Sequence, residues 1–121
     1  MLVVEDEALV RMMVADTLEE AGFNVIEACH AADALLFLEA RPDIAVAVTD
    51  VEMPPGAMNG FKLARLIRDR HPNVQVLIVS GRMSPEPGEL PEGGRFLHKP
   101  VRPEALVKMV QALLKEGSPP R

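Results

Sequence analysis

The run Ile44-Ala45-Val46-Ala47-Val48, followed by Thr49-Asp50, decides how this chain folds. It lies between the turn Arg41-Pro42-Asp43 and a loop holding Pro54-Pro55-Gly56. A short, continuous apolar run between turn signals predicts a strand buried on both faces. Strands of that kind belong to parallel sheets covered by helices on each side. The carboxylate of Asp50 then stands where the strand stops.

Working outward, residues 2–4 (LVV) and 74–79 (VQVLIV) are further apolar, β-branched runs. Residues 95–98 (RFLH) form a short strand, and residues 23–27 alternate as a strand does. Helix-period segments lie between them. Residues 7–21 place Val10, Met13, Val14, Thr17, Leu18 and Ala21 on one face, with Gly22 as a stop. Residues 31–40 turn Leu35 and Leu38 inward, and residues 60–70 turn Leu63, Leu66 and Ile67 inward before Pro72. Pro103 opens a helix to residue 115 that buries Leu106, Val110 and Leu113. Residues 82–94 hold Pro85, Pro87 and Pro91 among glycines, so no regular helix runs through them. The pattern predicts an α/β fold: a doubly wound, five-stranded parallel sheet with helices on both faces, its fourth helix short, irregular or absent. One domain is expected over residues 1–116, with residues 117–121 a disordered tail.

Composition bounds the partners. At 121 residues and 48% hydrophobic, the chain is long enough to bury about two-thirds of its surface without covalent staples. The lone Cys29 cannot form an internal disulfide. No apolar run reaches the roughly 18 residues of a membrane span, and no signal peptide opens the chain, so a cytoplasmic protein is expected. Thirteen Lys plus Arg against eighteen Asp plus Glu give a net charge of −5, the wrong sign for a phosphate-backbone footprint. With no Trp or Tyr to stack bases, direct nucleic-acid binding is not expected.

In doubly wound sheets the chemistry gathers at the carboxyl ends of the strands. Applied here, that rule collects Glu5 and Asp6 from the first strand, Asp50 from the third, Ser80-Gly81 from the fourth and Lys99-Pro100 from the fifth. Two like charges about 4 Å apart cost roughly 4 kcal/mol at an effective dielectric near 20. Such a rim takes up a proton or a cation. Hard oxygen donors suit Mg²⁺ or Mn²⁺. The same geometry suits phosphoryl transfer: Asp50 as nucleophile, Glu5 and Asp6 on the metal, Lys99 and Ser80 on the phosphoryl oxygens.

The runs VVEDE (residues 3–7), TDVEMP (49–54), VSG (79–81) and FLHKP (96–100) together resemble a response-regulator receiver domain, over residues 2–115. The resemblance implies a flavodoxin-like sheet of order 2-1-3-4-5 and a phosphoryl group passed to Asp50 from a histidine kinase or histidine phosphotransfer protein. It implies metal ligation by Glu5, Asp6, Asp50 and the main-chain carbonyl of Glu52, a switch pair of Ser80 and Phe96, and a cis Lys99-Pro100 bond. Glu52 and Arg82, flanking the site, are expected to tune phosphate lifetime. Residues 55–58 lengthen the loop beside Asp50 relative to the family's usual spacing, and residues 82–94 stand where the family has its fourth helix. That segment is expected to change order on phosphorylation. The signal is expected to pass to a separate downstream protein, from a monomer or weak dimer that is not a multiple-turnover enzyme. A phosphate-independent adaptor and an aspartate-nucleophile phosphatase are the alternatives. Cys29 is expected buried or half-buried, and Met12, Met13, Met53, Met58 and Met109 are expected to fill gaps.

Overall fold

In the computed structural model, residues 1–51, 59–81 and 94–116 are described. Their elements run β1 (Leu2–Val4), α1 (Ala8–Glu20), β2 (Ile26–Ala28), α2 (Ala31–Ala40), β3 (Val46–Asp50), α3 (Gly60–Arg70), β4 (Gln75–Ser80), β5 (Arg95–His98) and α4 (Pro103–Glu116). The strands form one parallel sheet of order β2-β1-β3-β4-β5. Order and class are as the sequence predicts. The expected irregular fourth helix in residues 82–94, the loop residues 55–58, Met53, Glu52, Arg82 and the tail lie outside the described residues, except Gly94. The Lys99-Pro100 bond is cis.

The pleat divides the apolar residues between two cores. Leu2, Val4, Ala47, Val76 and Ile78 pack with Ala34 and Leu38 of α2 and Leu63, Ala64 and Ile67 of α3. Val3, Val46, Val48, Leu77 and Val79 pack with Leu18 of α1 and Leu106, Val110 and Leu113 of α4. Both faces of the central strands are thus covered, and every residue of β3 is buried. Asn59 caps α3 by accepting a hydrogen bond from the Lys62 amide at 3.0 Å. Among the described residues no helix is long and apolar enough to cross a membrane.

Four local expectations are corrected. The second strand is not residues 23–27 but Ile26–Ala28, because β1 begins at Leu2 and its ladder starts at the Leu2–Ile26 pair. Phe23 and Val25 instead pack half-buried on the α1/α4 core as loop residues. The third strand ends at Asp50 as expected, Thr49 and Asp50 pairing with Ile78 and Val79, but starts two residues later than Ile44. Met13 and Met12, expected inward or gap-filling, are 67% and 52% exposed. The buried stripe of α1 is Ala15 and Leu18, and Val10, Met13 and Val14 line an open cavity of about 540 Å³ between α1 and α4. Cys29 is exposed, since it lies in the turn just past Ala28, the last residue of β2.

Candidate functional site

Each strand end delivers its residue to one edge of the sheet. Asp50, the last residue of β3, is 7% exposed and sits opposite Val79 in the ladder. Glu5 follows β1 directly and is 5% exposed, its amide still bonded to the Ala28 carbonyl at 3.1 Å. Ser80 ends β4 fully buried, and its carbonyl accepts from the Lys99 amide at 3.0 Å. That main-chain bond carries the β5 exit to the β4 exit and so brings Lys99 over the site.

The side chains then converge. Lys99 Nζ lies 3.0 Å from Asp50 Oδ2 and 3.9 Å from Glu5 Oε2. One ammonium faces two buried carboxyls. Burial, a hydrogen bond shared with Asp50 and the charge of Asp50 push the Glu5 carboxyl up to about 8, while Lys99 and the Glu7 amide pull the other way. With no cation bound, the Glu5 carboxyl therefore keeps its proton well above the ordinary carboxylate range.

That shift makes stability pH-dependent. Between the ordinary carboxyl value of 4.5 and about 8, the folded chain holds a proton that the unfolded chain has lost. Stability contributed by this group therefore falls as pH rises through that window. Glu5→Gln is expected to flatten this slope and to be more stable than the parent at pH 8 in the presence of a chelator. Urea unfolding at pH 5 and pH 8 checks it, and parallel slopes for the two proteins would contradict it.

The rest of the rim is placed unevenly. Asp6 is exposed, one residue beyond Glu5. Phe96 is half-buried against the α2/α3 core, its ring stacked on Phe61 with centroids 6.5 Å apart and met edge-on by His98 at 4.8 Å. The roles expected for Glu52 and Arg82 fall outside the described residues. Among the described residues, no three acidic, His or Cys side chains converge tightly enough to hold an ion alone. The donor chemistry nevertheless fits a hard divalent cation whose shell is mostly water: two carboxyls already share one site, and Asp6 opens to solvent beside them.

Two residues that the sequence did not mark matter here. Gly60, the first residue of α3, presses its backbone against the end of β3: its amide donates to the Val51 carbonyl at 3.0 Å, and a Cβ there would overlap the Asp50 carbonyl oxygen. The Asn59-Gly60 pair marks a helix start in sequence but not this approach. Arg11, on α1, donates from Nη1 to the Glu5 carbonyl at 2.8 Å. No local pattern marks it, because its partners come from β1 and β2.

This edge geometry belongs to a known group. The family model for the response regulator receiver domain matches residues 1–111. The sensor kinase CckA of Brucella abortus is 34% identical over 119 residues, covering 95% of this chain and 12% of the kinase. The chemotaxis protein CheY1 of Helicobacter pylori (strain J99) is 29% identical over 120 residues, 94% of this chain and 95% of that protein. Of the first curated relatives it matches, the chain spans 12–17% of the length. The crystal structure of a response regulator receiver protein from Sinorhizobium medicae WSM419 matches with a TM-score of 0.88 at 28% identity, over 97% of this chain and 94% of that one. A family model that runs from β1 into α4, and a solved receiver that follows the same path, agree with the rim built from the strand ends: this chain belongs to the response-regulator receiver family.

Proposed function

We propose that the chain is a phospho-acceptor module of a two-component or phosphorelay system that takes a phosphoryl group onto Asp50 from a phosphohistidine on a kinase or phosphotransfer protein. The observation that carries this reading is the Lys99 ammonium 3.0 Å from the buried Asp50 carboxylate, with Glu5 sharing a hydrogen bond on the same carboxylate. A structural lysine gains little from being held over a buried carboxyl pair, whereas a phosphoryl group needs that arrangement.

In the reaction the Asp50 carboxylate attacks phosphorus, an O–P bond forms as the donor's P–N bond breaks, and the departing imidazole nitrogen takes a proton from solvent water. Glu5, Asp6 and Asp50, with the Glu52 carbonyl, would hold Mg²⁺ or Mn²⁺, which screens the negative oxygens of the incoming group. Lys99 releases its contact to Asp50 and follows the charge onto a phosphoryl oxygen. Ser80 donates its hydroxyl to another. Attack of water on the acyl phosphate later returns Asp50 and inorganic phosphate, so the chain acts on its own phosphoryl group and is not a multiple-turnover enzyme.

Contacts made by Ser80 and Lys99 to the phosphoryl group shift the protein between two states, with Phe96 reporting the change, and a separate protein partner reads the result. The module works in the cytoplasm, as a monomer or weak dimer, without direct contact to nucleic acid. Incubation with acetyl phosphate or phosphoramidate and Mg²⁺ is expected to add the mass of one phosphoryl group, lost on treatment with hydroxylamine. No added mass would overturn the reading. Unchanged binding of a partner in that case favours a phosphate-independent adaptor, and steady release of phosphate from a monoester favours a phosphatase.

A further inference from the structure

At Glu5 the chain leaves the sheet. Its amide still donates to the Ala28 carbonyl on β2, but its own carbonyl is taken by a side chain, Arg11 Nη1, at 2.8 Å. The residue is buried, and a buried carbonyl must find a donor. A guanidinium gives a shorter and stronger bond than a neutral amide. The other side of the same guanidinium is held by Glu27 of β2, with Arg11 Nε 3.3 Å from Glu27 Oε1. The Arg11 side chain is 16% exposed and that of Glu27 is 41% exposed, so the ion pair adds little stability by itself. Its effect is orientation: a planar fork pinned at Nε presents Nη1 in one direction.

Arg11 touches neither Asp50 nor Lys99 through any of these bonds. It fixes the main chain from which Glu5 and Asp6 project. The Glu5 carboxyl has further local support, since the Glu7 amide points at Glu5 Oε1 from 3.4 Å, a weak contact at that length. The aim of the acidic pair therefore rests on the main chain at Glu5, held through its amide by Ala28 and through its carbonyl by Arg11.

We propose that Arg11, oriented by Glu27, is a positioning residue that sets the aim of Glu5 and Asp6 toward a divalent cation. The proposal rests on the receiver reading above and adds a residue that touches neither the phosphoryl group nor the metal. Groups that orient ligands from outside the coordination shell change metal affinity by about 10–100-fold when removed. Arg11→Gln is expected to weaken Mg²⁺ binding about tenfold, at the lower end of that range. Arg11→Lys, which can bond the carbonyl but cannot fork, falls between, and Glu27→Gln loses less in the same direction.

The chain has no Trp or Tyr, so the readout is titration calorimetry with Mg²⁺, or Mn²⁺ paramagnetic resonance, on the full chain. Thermal unfolding in chelator is measured alongside. In phosphoryl uptake from acetyl phosphate, the half-saturating Mg²⁺ concentration should rise for Arg11→Gln while the rate at saturating Mg²⁺ recovers. A merely structural residue would lower the unfolding temperature without moving the Mg²⁺ midpoint, and that result overturns the proposal. Should Arg11→Gln fail to fold, Glu27→Gln decides, since an unchanged Mg²⁺ affinity there is equally fatal. A parent chain that binds Mg²⁺ but takes up no phosphoryl group sinks the phospho-acceptor reading and leaves the Arg11 comparison readable. A parent that binds no divalent ion overturns both.

Discussion

Asp50→Asn is expected to take phosphoryl uptake below detection while leaving the chain folded. The amide is isosteric with the carboxylate but cannot form an acyl phosphate, and the neighbouring nucleophile candidates differ in placement. Glu5 stands farther from Lys99, at 3.9 Å against 3.0 Å for Asp50, and so is worse placed to take a phosphoryl group that Lys99 receives. Ser80 has no carboxylate chemistry to offer. The same substitution has a second consequence. Two of the three causes that push Glu5 up, the shared hydrogen bond and the charge of Asp50, disappear, whereas the pull of Lys99 from 3.9 Å remains. The Glu5 carboxyl is therefore expected to fall back toward the ordinary range, and the decline of stability between pH 4.5 and about 8 should shrink. Mass measurement after incubation with phosphodonor and Mg²⁺, paired with urea unfolding at two pH values, reads both effects on one protein. Phosphoryl mass retained on the Asn variant would mean that the acceptor lies elsewhere.

Gly60→Ala is the second large effect, and it acts through backbone. An added Cβ would overlap the Asp50 carbonyl oxygen and come within 2.8 Å of both the Asp50 carbonyl carbon and Val51 Cα. These are main-chain atoms at the end of the central strand, bonded to β4 on one side and pressed by α3 on the other, so none can give as a flexible side chain would. Either the first turn of α3 withdraws and breaks the 3.0 Å bond from Gly60 to the Val51 carbonyl, or the end of β3 moves and takes Asp50 out of reach of Lys99. A cost of about 3 kcal/mol or more is expected, the upper range for overpacking a rigid site, with slower phosphoryl uptake in whatever remains folded. Gly81→Ala is the matched control. Its Cβ would meet Lys99 Cβ at 3.6 Å and Cδ at 3.8 Å, ordinary contact distances against a movable side chain. Urea unfolding of the two variants should separate them widely. Equal stability would show that the approach of α3 to β3 is softer than its geometry.

The elements whose signals are local came out of the sequence cleanly. Residues 31–40, 60–70 and 95–98 have the bounds expected of them, because a helix period or a short apolar run between turn residues is complete within its own window. The errors lie where a partner decides. β2 is shorter and later than its alternation suggests because a strand exists only where its neighbour can pair, and β1 begins at Leu2. Met13 has the spacing of a core residue, yet the core of α1 is set by where α4 and the sheet leave room. Cys29 is apolar by type and exposed by position, one residue past the last ladder pair.

The site divides in the same way. That Glu5, Asp6, Asp50, Ser80 and Lys99 share one edge follows from sequence alone, since a parallel sheet puts every strand's carboxyl end on the same side. What they do to one another does not. Lys99 is 49 residues from Asp50 in sequence, yet stands 3.0 Å from it in space. Burial and the nearness of two carboxyls put a proton on Glu5, and both are properties of the packed sheet. Arg11 and Gly60 act through main-chain carbonyls of other elements, a kind of contact that side-chain patterns do not encode. By itself, then, the chain's sequence determined which chemical groups meet, because strand direction is written in local hydrophobic pattern. Their distances, their protonation and the residues that aim them were decided by tertiary structure, because Coulomb forces, desolvation and steric contact depend on separation in space and not along the chain.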